Sequence, residues 1–162
     1  MKNPDDYTAR ANMMWASSLA HNGLTQCGRE FQLVVHQFEH ELSGMYPKIA
    51  HGAGLAALWC SWARYVYKAN ISRWLQYSAN VWNLDIDYEH PEKTIEEAIN
   101  LQEQYYVSLG MPIGLKALGV EEASLTKLAL NCSRNKTRTL TGYKPLAYDD
   151  ILAIYQMAYE RG

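Results

Sequence analysis

Apolar residues at mixed three- and four-residue spacing are the feature that most restricts how this chain can fold. They recur in most segments, whereas no stretch alternates apolar and polar residues for long enough to predict a strand. The third predicted helix shows the spacing best, with an apolar stripe of Leu55, Leu58, Trp59, Trp62, Ala63, Val66 and Tyr67. The pattern therefore predicts an all-α fold, a helical bundle.

Helix boundaries are predicted from capping residues, glycines and prolines. Asn22-Gly23 and Gly110 favour helix ends, and Pro91 favours the start of a helix. The predicted helices cover about 5–22, 30–44, a third from the turn at Gly52 to the region of residue 70, and then 71–82, 91–110, 121–132 and 149–161. The polar stretch 133–144 is predicted to be a loop.

Length and charge restrict the class of protein. The chain has 162 residues, which suits one helical domain over 1–162 and leaves no room for a dinucleotide-binding fold beside a separate catalytic domain. Fifteen basic and 17 acidic residues give a net charge of −2, which argues against nucleic acid as the main partner. Since no apolar run is long enough for a membrane span, and the three cysteines form no disulfide framework, we expect a cytoplasmic protein.

Three of the five histidines, His36, His40 and His51, fall within one short segment. Residues four apart lie on one face of a helix, so the rings of His36 and His40 should project in the same direction. The predicted core face of this helix lies on the other side and comprises Val34, Phe38, Leu42 and Met45. We therefore expect the histidines to face solvent, a cleft or another domain.

His51 is predicted at or just before the first turn of the third helix, where the helix dipole favours the neutral ring that binds metals. Gly52 and Gly54 leave room for another group to approach that turn. The spacing alone leaves two interpretations open, a divalent-metal site or an exposed histidine pair beside a helix cap. A zincin site is excluded because Gln37 stands where that motif needs glutamate.

The remaining candidate residues favour structural roles. His21, beside the Asn22-Gly23 helix end, is predicted to be packed or capping, and His90 to be exposed. The cysteines are expected in the core, and the tryptophans and tyrosines mostly in the core and at interfaces.

The histidine segment resembles the C-terminal signature of the iron-containing alcohol dehydrogenases, especially their butanol dehydrogenase branch. The resemblance rests on FEHELSG at 38–44 and AHGAGLA at 50–56. It extends to NGL at 22–24, SWARY at 61–65, LGMP at 109–112, GYKPL at 142–146 and DDI at 149–151. Essentially the whole chain is covered.

The resemblance implies a metal-dependent, NAD(P)-linked alcohol dehydrogenase, of which this chain is the helical C-terminal domain. Members of the family hold a divalent metal, iron or zinc, between this domain and an N-terminal nucleotide-binding domain. His36 and His51 match two of the metal ligands, and His40 matches a residue beside the substrate that relays a proton. The other ligands, an Asp and a further His, belong to the Asp-x-x-x-His pair upstream of the matched region.

Several expectations follow for this chain by itself. It should bind metal weakly and lack turnover, and it should self-associate through the histidine face that the nucleotide-binding domain would cover. One alternative is a non-catalytic helical interaction module derived from the same domain. Another is a free-standing metal site with an internal carboxylate ligand such as Glu39. The apolar residues Phe38, Trp59 and Trp62 are candidates for lining a pocket for the alcohol.

Overall fold

A computed structural model describes residues 3–28, 30 and 32–161 of the chain. Within these residues all regular elements are helical, apart from an isolated antiparallel bridge between Leu140 and Leu146. The α-helices are α1 (Tyr7–His21), α2 (Val34–Met45), α3 (His51–Val66), α4 (Ile71–Trp82), α5 (Pro91–Ser108), α6 (Leu125–Cys132) and α7 (Tyr148–Glu160). Short 3₁₀ turns lie at Leu24–Gln26, Tyr67–Asn70, Lys116–Leu118 and Glu122–Ser124. The predicted all-α class is confirmed.

Local capping signals explain the boundaries that the sequence predicts best. Helix α4 has the predicted bounds, because the Asn70 side chain accepts a hydrogen bond from the Arg73 backbone N–H at 3.1 Å and Asn83 ends the helix in the left-handed region at φ 53°. Helix α5 begins at Pro91, as predicted, since proline is well suited to the first helical position.

Helix α2 begins at Val34, four residues after the predicted start at Glu30. The capping residue Leu33 offers no side-chain hydrogen bond, and residue 31 of the predicted first turn lies outside the described residues. Val34 and Val35 are both buried, so packing against the core, and not a capping side chain, sets this boundary.

The chain divides into two compact units, Met1–Gln32 and Leu33–Gly162. In the second unit α3 packs against α2, α5 and α7, while α6 packs against α2 and α7, and α4 against α5. Its core includes Leu42, Leu58, Ile95, Ile99, Leu128, Ile151 and Ile154. The ring of Tyr155 contacts Phe38 there, and its hydroxyl donates to the Phe38 carbonyl at 2.7 Å. This packing fixes α2 and α3 side by side.

The first unit contains α1 and the turn that follows it. Asp6 caps the helix by accepting a hydrogen bond from the Ala9 backbone N–H at 2.9 Å. None of the residues of α1 is buried, and Trp15 is 66% exposed. Trp15 therefore lies outside the core, whereas Trp74 is buried among other aromatic rings, as expected for most tryptophans.

Among the residues that the structure describes, no helix is both long enough and apolar enough to cross a membrane.

Candidate metal centre

Helix α2 presents two histidines on the side opposite its core face. Phe38 and Leu42 are fully buried, as predicted, whereas His36 is half-buried and His40 is exposed. The rings of His36 and His40 lie one helical turn apart with centroids separated by 6.0 Å. The helical period therefore places both imidazoles on one accessible face, as the sequence predicts.

His51, the first residue of α3, completes the cluster. Its ring centroid lies 5.0 Å from that of His36 and 5.7 Å from that of His40. One ring nitrogen from each of the three residues can be chosen such that all lie within 4.8 Å of one another. The structure therefore brings together the three histidines that the sequence singles out.

The shortest approach within the cluster tests whether these rings fit a divalent metal. The Nε2 atom of His51 lies 3.1 Å from the Nδ1 atom of His36. Two imidazole nitrogens at about 2.0–2.1 Å from one tetrahedral metal would be about 3.3–3.4 Å apart. A shift of a few tenths of an ångström would therefore let both rings share an ion, and the donor set suits iron or zinc.

Access from solvent is also compatible with a metal centre. The side chain of His51 is 47% exposed, and His40 is exposed as well. In the part of the chain that the structure describes, this is the one group of three His, Cys, Asp or Glu side chains with ligand atoms so close together.

Glu39 is the residue of this site that sequence reasoning misplaced. Its side chain is fully buried between α2 and α3, where it accepts a hydrogen bond from the Ser43 hydroxyl and pairs with Nδ1 of His51. The alternative in which Glu39 is a metal ligand does not match this position, because both carboxylate oxygens already have partners. Glu39 therefore contacts the ring of His51 from the buried side and does not share the accessible side of the histidine cluster.

A signal for this arrangement was present in the sequence at Gly54. A Cβ atom at this position would lie 2.8 Å from Cγ and 2.9 Å from Oε1 of Glu39. The predicted close approach of another group is therefore confirmed at Gly54, while at Gly52 no atom comes within 4 Å of such a Cβ.

The other histidines and two of the cysteines lie outside the histidine cluster. His21 was predicted to be packed or capping, but it lies exposed in the last turn of α1, and the cap residue is Asn22. His90 is exposed, as predicted, and its Nδ1 atom lies 3.4 Å from the Asp87 carboxylate. Cys60 and Cys132 are buried in the core, and burial raises the pKa of each thiol to about 12.

Two expectations about core and pocket residues are wrong. Cys27 is exposed, because it follows the turn at Leu24–Gln26, which contributes no buried residue. Phe38 cannot line a substrate pocket, since it is fully buried against Tyr155. Trp59 and Trp62 are partly buried and contact each other and Trp74 in a cluster of aromatic rings.

Comparison with known families identifies the class of protein to which this fold and histidine cluster belong. The family described as "Fe-containing alcohol dehydrogenase family, C-terminal" matches residues 1–159. The chain belongs to this family.

Similar proteins of known name fall in the same class. The chain is 38% identical over 160 residues to NADH-dependent butanol dehydrogenase A of Clostridium acetobutylicum, and 30% identical over 162 residues to NADPH-dependent aldehyde reductase YqhD of Escherichia coli. The crystal structure of NADH-dependent butanol dehydrogenase A from Thermotoga maritima superposes with a TM-score of 0.89 at 30% identity.

These matches cover nearly all of this chain and less than half of each relative. The alignments include 98% of the chain but 41% of the two butanol dehydrogenases and 40% of the aldehyde reductase. The chain thus spans about two fifths of the length of these relatives, the part that corresponds to the helical C-terminal domain.

Proposed function

We propose that this chain is the metal-binding half of an NAD(P)-linked alcohol dehydrogenase, which interconverts alcohols and aldehydes. The observation that carries the proposal is the convergence of His36, His40 and His51 on the accessible side of α2 and α3. Family membership supports it, since the named relatives are NADH-dependent butanol dehydrogenases and an NADPH-dependent aldehyde reductase.

In this proposal His36 and His51 hold a divalent metal, either iron or zinc, and a partner domain supplies the remaining ligands. When bound, the metal supplies a Lewis acid for the alcohol oxygen and the nicotinamide supplies the hydride acceptor. His36 and His51 approach each other at 3.1 Å, so they can share one ion without refolding either helix. The nucleotide would bind to the partner domain.

His40 is the proposed catalytic residue of this chain. Its ring lies 5.7 Å from that of His51 and is exposed, so it could contact a small alcohol bound beside the histidine cluster. A histidine changes its protonation state near neutral pH, which suits the transfer of the alcohol proton to solvent. His40 would thus orient the substrate and move its proton, while His36 and His51 would hold the metal.

A chimera tests this function. The nucleotide-binding part of the Clostridium acetobutylicum butanol dehydrogenase A would be joined to this chain, and NADH oxidation measured with butyraldehyde. We expect turnover by the chimera and none by the 162-residue chain alone. His36→Ala or His51→Ala should remove both bound metal and activity, whereas His40→Ala should keep the metal and lower the rate about 100-fold or more.

The non-catalytic helical module is the rival that this experiment addresses. A folded chimera that binds no metal and has no activity would favour that module. Turnover by the 162-residue chain alone, at a rate typical of enzymes, would contradict the division of the site between two domains. His21→Ala in the chimera is the matched control, because His21 lies on α1, outside the histidine cluster, and should leave metal content and rate unchanged.

Two further expectations belong to the same proposal. We expect the histidine face to pack against the partner domain, so that without this domain the chain self-associates at high concentration. We also expect the complete enzyme to work in the cytoplasm.

A further inference from the structure

A buried carboxylate beneath an exposed histidine cluster requires an explanation. The side chain of Glu39 has no solvent exposure, although it lies on the same helix as the accessible His36 and His40. Burial of an ionised carboxylate is costly unless its oxygens are paired and hydrogen-bonded. Both oxygens of Glu39 meet this condition, one through the Ser43 hydroxyl and the other through Nδ1 of His51.

The pairing with His51 determines which ring nitrogen carries the proton. An ionised carboxylate can only accept hydrogen bonds, so Nδ1 of His51 must be the protonated nitrogen that donates to Glu39. In the neutral ring the lone pair then lies on Nε2, the nitrogen that lies 3.1 Å from His36. The carboxylate therefore orients the metal-binding nitrogen of His51 toward the centre of the cluster.

Neighbouring residues are arranged so that Glu39 fits in this position. Ser43 lies one turn further along α2 and holds the second oxygen, and Gly54 lies one turn after His51 on α3. Any side chain at position 54 would meet Glu39 at less than 3.0 Å. Four residues from two helices thus form one unit, whose exposed end is the imidazole of His51.

We infer that Glu39 is a positioning residue that fixes the orientation and the Nδ1–H tautomer of His51. The unprotonated Nε2 atom is then able to bind a metal. This inference rests on the proposed metal site and adds a residue that acts behind the ligand. A ligand histidine that donates its other N–H to a carboxylate is held in place and is a stronger donor, and loss of such a partner usually weakens metal binding 10- to 100-fold.

The alternative is that Glu39 only ties α2 to α3. Three substitutions separate the two roles. Glu39→Gln keeps an acceptor oxygen for Nδ1–H, whereas Glu39→Met keeps the shape and removes the acceptor. Glu41→Gln is the matched control, since it removes one negative charge from the same helix two residues away. The Glu41 carboxylate raises the pKa of Cys132 and of Tyr155 and lies outside the histidine cluster.

The first measurement needs no metal. Two-bond 15N–1H NMR spectra of the histidine rings, recorded at about pH 8.5, above the ordinary histidine pKa, report the tautomer of His51. We expect the Nδ1–H form in the wild type and in Glu41→Gln, retention of most of it in Glu39→Gln, and its loss in Glu39→Met. The inference would be overturned if the wild type and folded Glu39→Met had the same tautomer. It would also be overturned if His51 of the wild type carried its proton on Nε2.

The second measurement is calorimetric titration of each folded variant with Zn²⁺. We expect the dissociation constant to rise about 10-fold or more in Glu39→Met, by less in Glu39→Gln, and not at all in Glu41→Gln. Equal affinities for Glu39→Gln, Glu41→Gln and the wild type would count against the role of Glu39, even if Glu39→Met fails to fold. Failure of the proposed metal function would look different. Either the wild type would not bind Zn²⁺, or its binding would be unchanged by His36→Ala. In both cases the tautomer measurement would still decide the role of Glu39.

Discussion

The absence of a side chain at residue 54 allows a charged group to be buried between two helices. Gly54 lies inside α3, where glycine is less favourable than alanine by about 1 kcal/mol. A Cβ there would lie 2.9 Å from Oε1 of Glu39 and 3.2 Å from Cδ2 of Leu42, and neither neighbour can move freely because both are fully buried. The cost of helix propensity is therefore smaller than the cost of overlap.

This comparison predicts the effects of two glycine substitutions. Gly54→Ala should lower the free energy of unfolding by about 1–3 kcal/mol, because overpacking outweighs the gain in helix propensity. Gly52→Ala, in the same helix but with open space around its Cβ, should be neutral or raise it by up to about 1 kcal/mol. Urea denaturation of both variants measures the difference, and equal stabilities would show that the approach of Glu39 is not restrictive.

At the scale of elements, one glutamate on α5 connects three helices. Glu103 contacts Arg64 of α3 at 2.7 Å and Arg161, just after α7, at 2.8 Å. The side chains of Arg64 and Glu103 are only 9% and 15% exposed, so this pair is screened less by solvent than a surface pair. Arg64 also donates to Asn100 at 2.6 Å, which satisfies part of its guanidinium.

Removal of the Glu103 charge should therefore weaken the packing of α5 against α3. We expect Glu103→Gln to lower the free energy of unfolding by about 1.5–3 kcal/mol, the usual contribution of hydrogen bonds to charged groups. Glu97→Gln, at an exposed position of the same helix, serves as the control and should change stability by no more than about 0.5 kcal/mol. Guanidinium or thermal unfolding of the two variants would test this, and a difference within error would contradict it.

The helix boundaries differ in how far the sequence predicts them. The bounds of α4 and the start of α5 were predictable, since Asn70 and Pro91 act within one helical turn. The start of α2 was not, because burial of Val34 against distant residues sets it. Likewise, the shared face of His36 and His40 follows from the helical period of α2 alone.

The partner of His51 could not be predicted in this way. Glu39 lies twelve residues from His51 in the chain, and their contact depends on how α2 packs against α3. Sequence spacing indicates which residues share a helix face, but it does not indicate which side chain lies behind a residue of another helix. Of the two glycines that suggested a close approach to α3, only Gly54 meets another side chain, and the sequence did not indicate which one.

For the whole molecule, the distribution of the core determines which part of the chain is needed for stability. The buried hydrophobic residues of the described chain run from Val34 to Ala158, all within the unit Leu33–Gly162. The unit Met1–Gln32 has no buried residue in α1 and none in its 3₁₀ turn. The three clustered histidines also belong to the larger unit.

A shortened chain that begins at Leu33 should therefore fold and keep the site. We expect its free energy of unfolding to lie within about 1 kcal/mol of that of the 162-residue chain, since the buried hydrophobic residues of the described chain all follow Leu33 and their burial is the main stabilising contribution. Circular dichroism should show the loss of helix expected for the 15 residues of α1, with cooperative urea unfolding retained. Its Zn²⁺ titration should match that of the longer chain, because α2 and α3 supply every histidine of the cluster. Loss of cooperative unfolding in the shortened chain would mean that residues before Leu33 contribute to the core, contrary to the burial pattern.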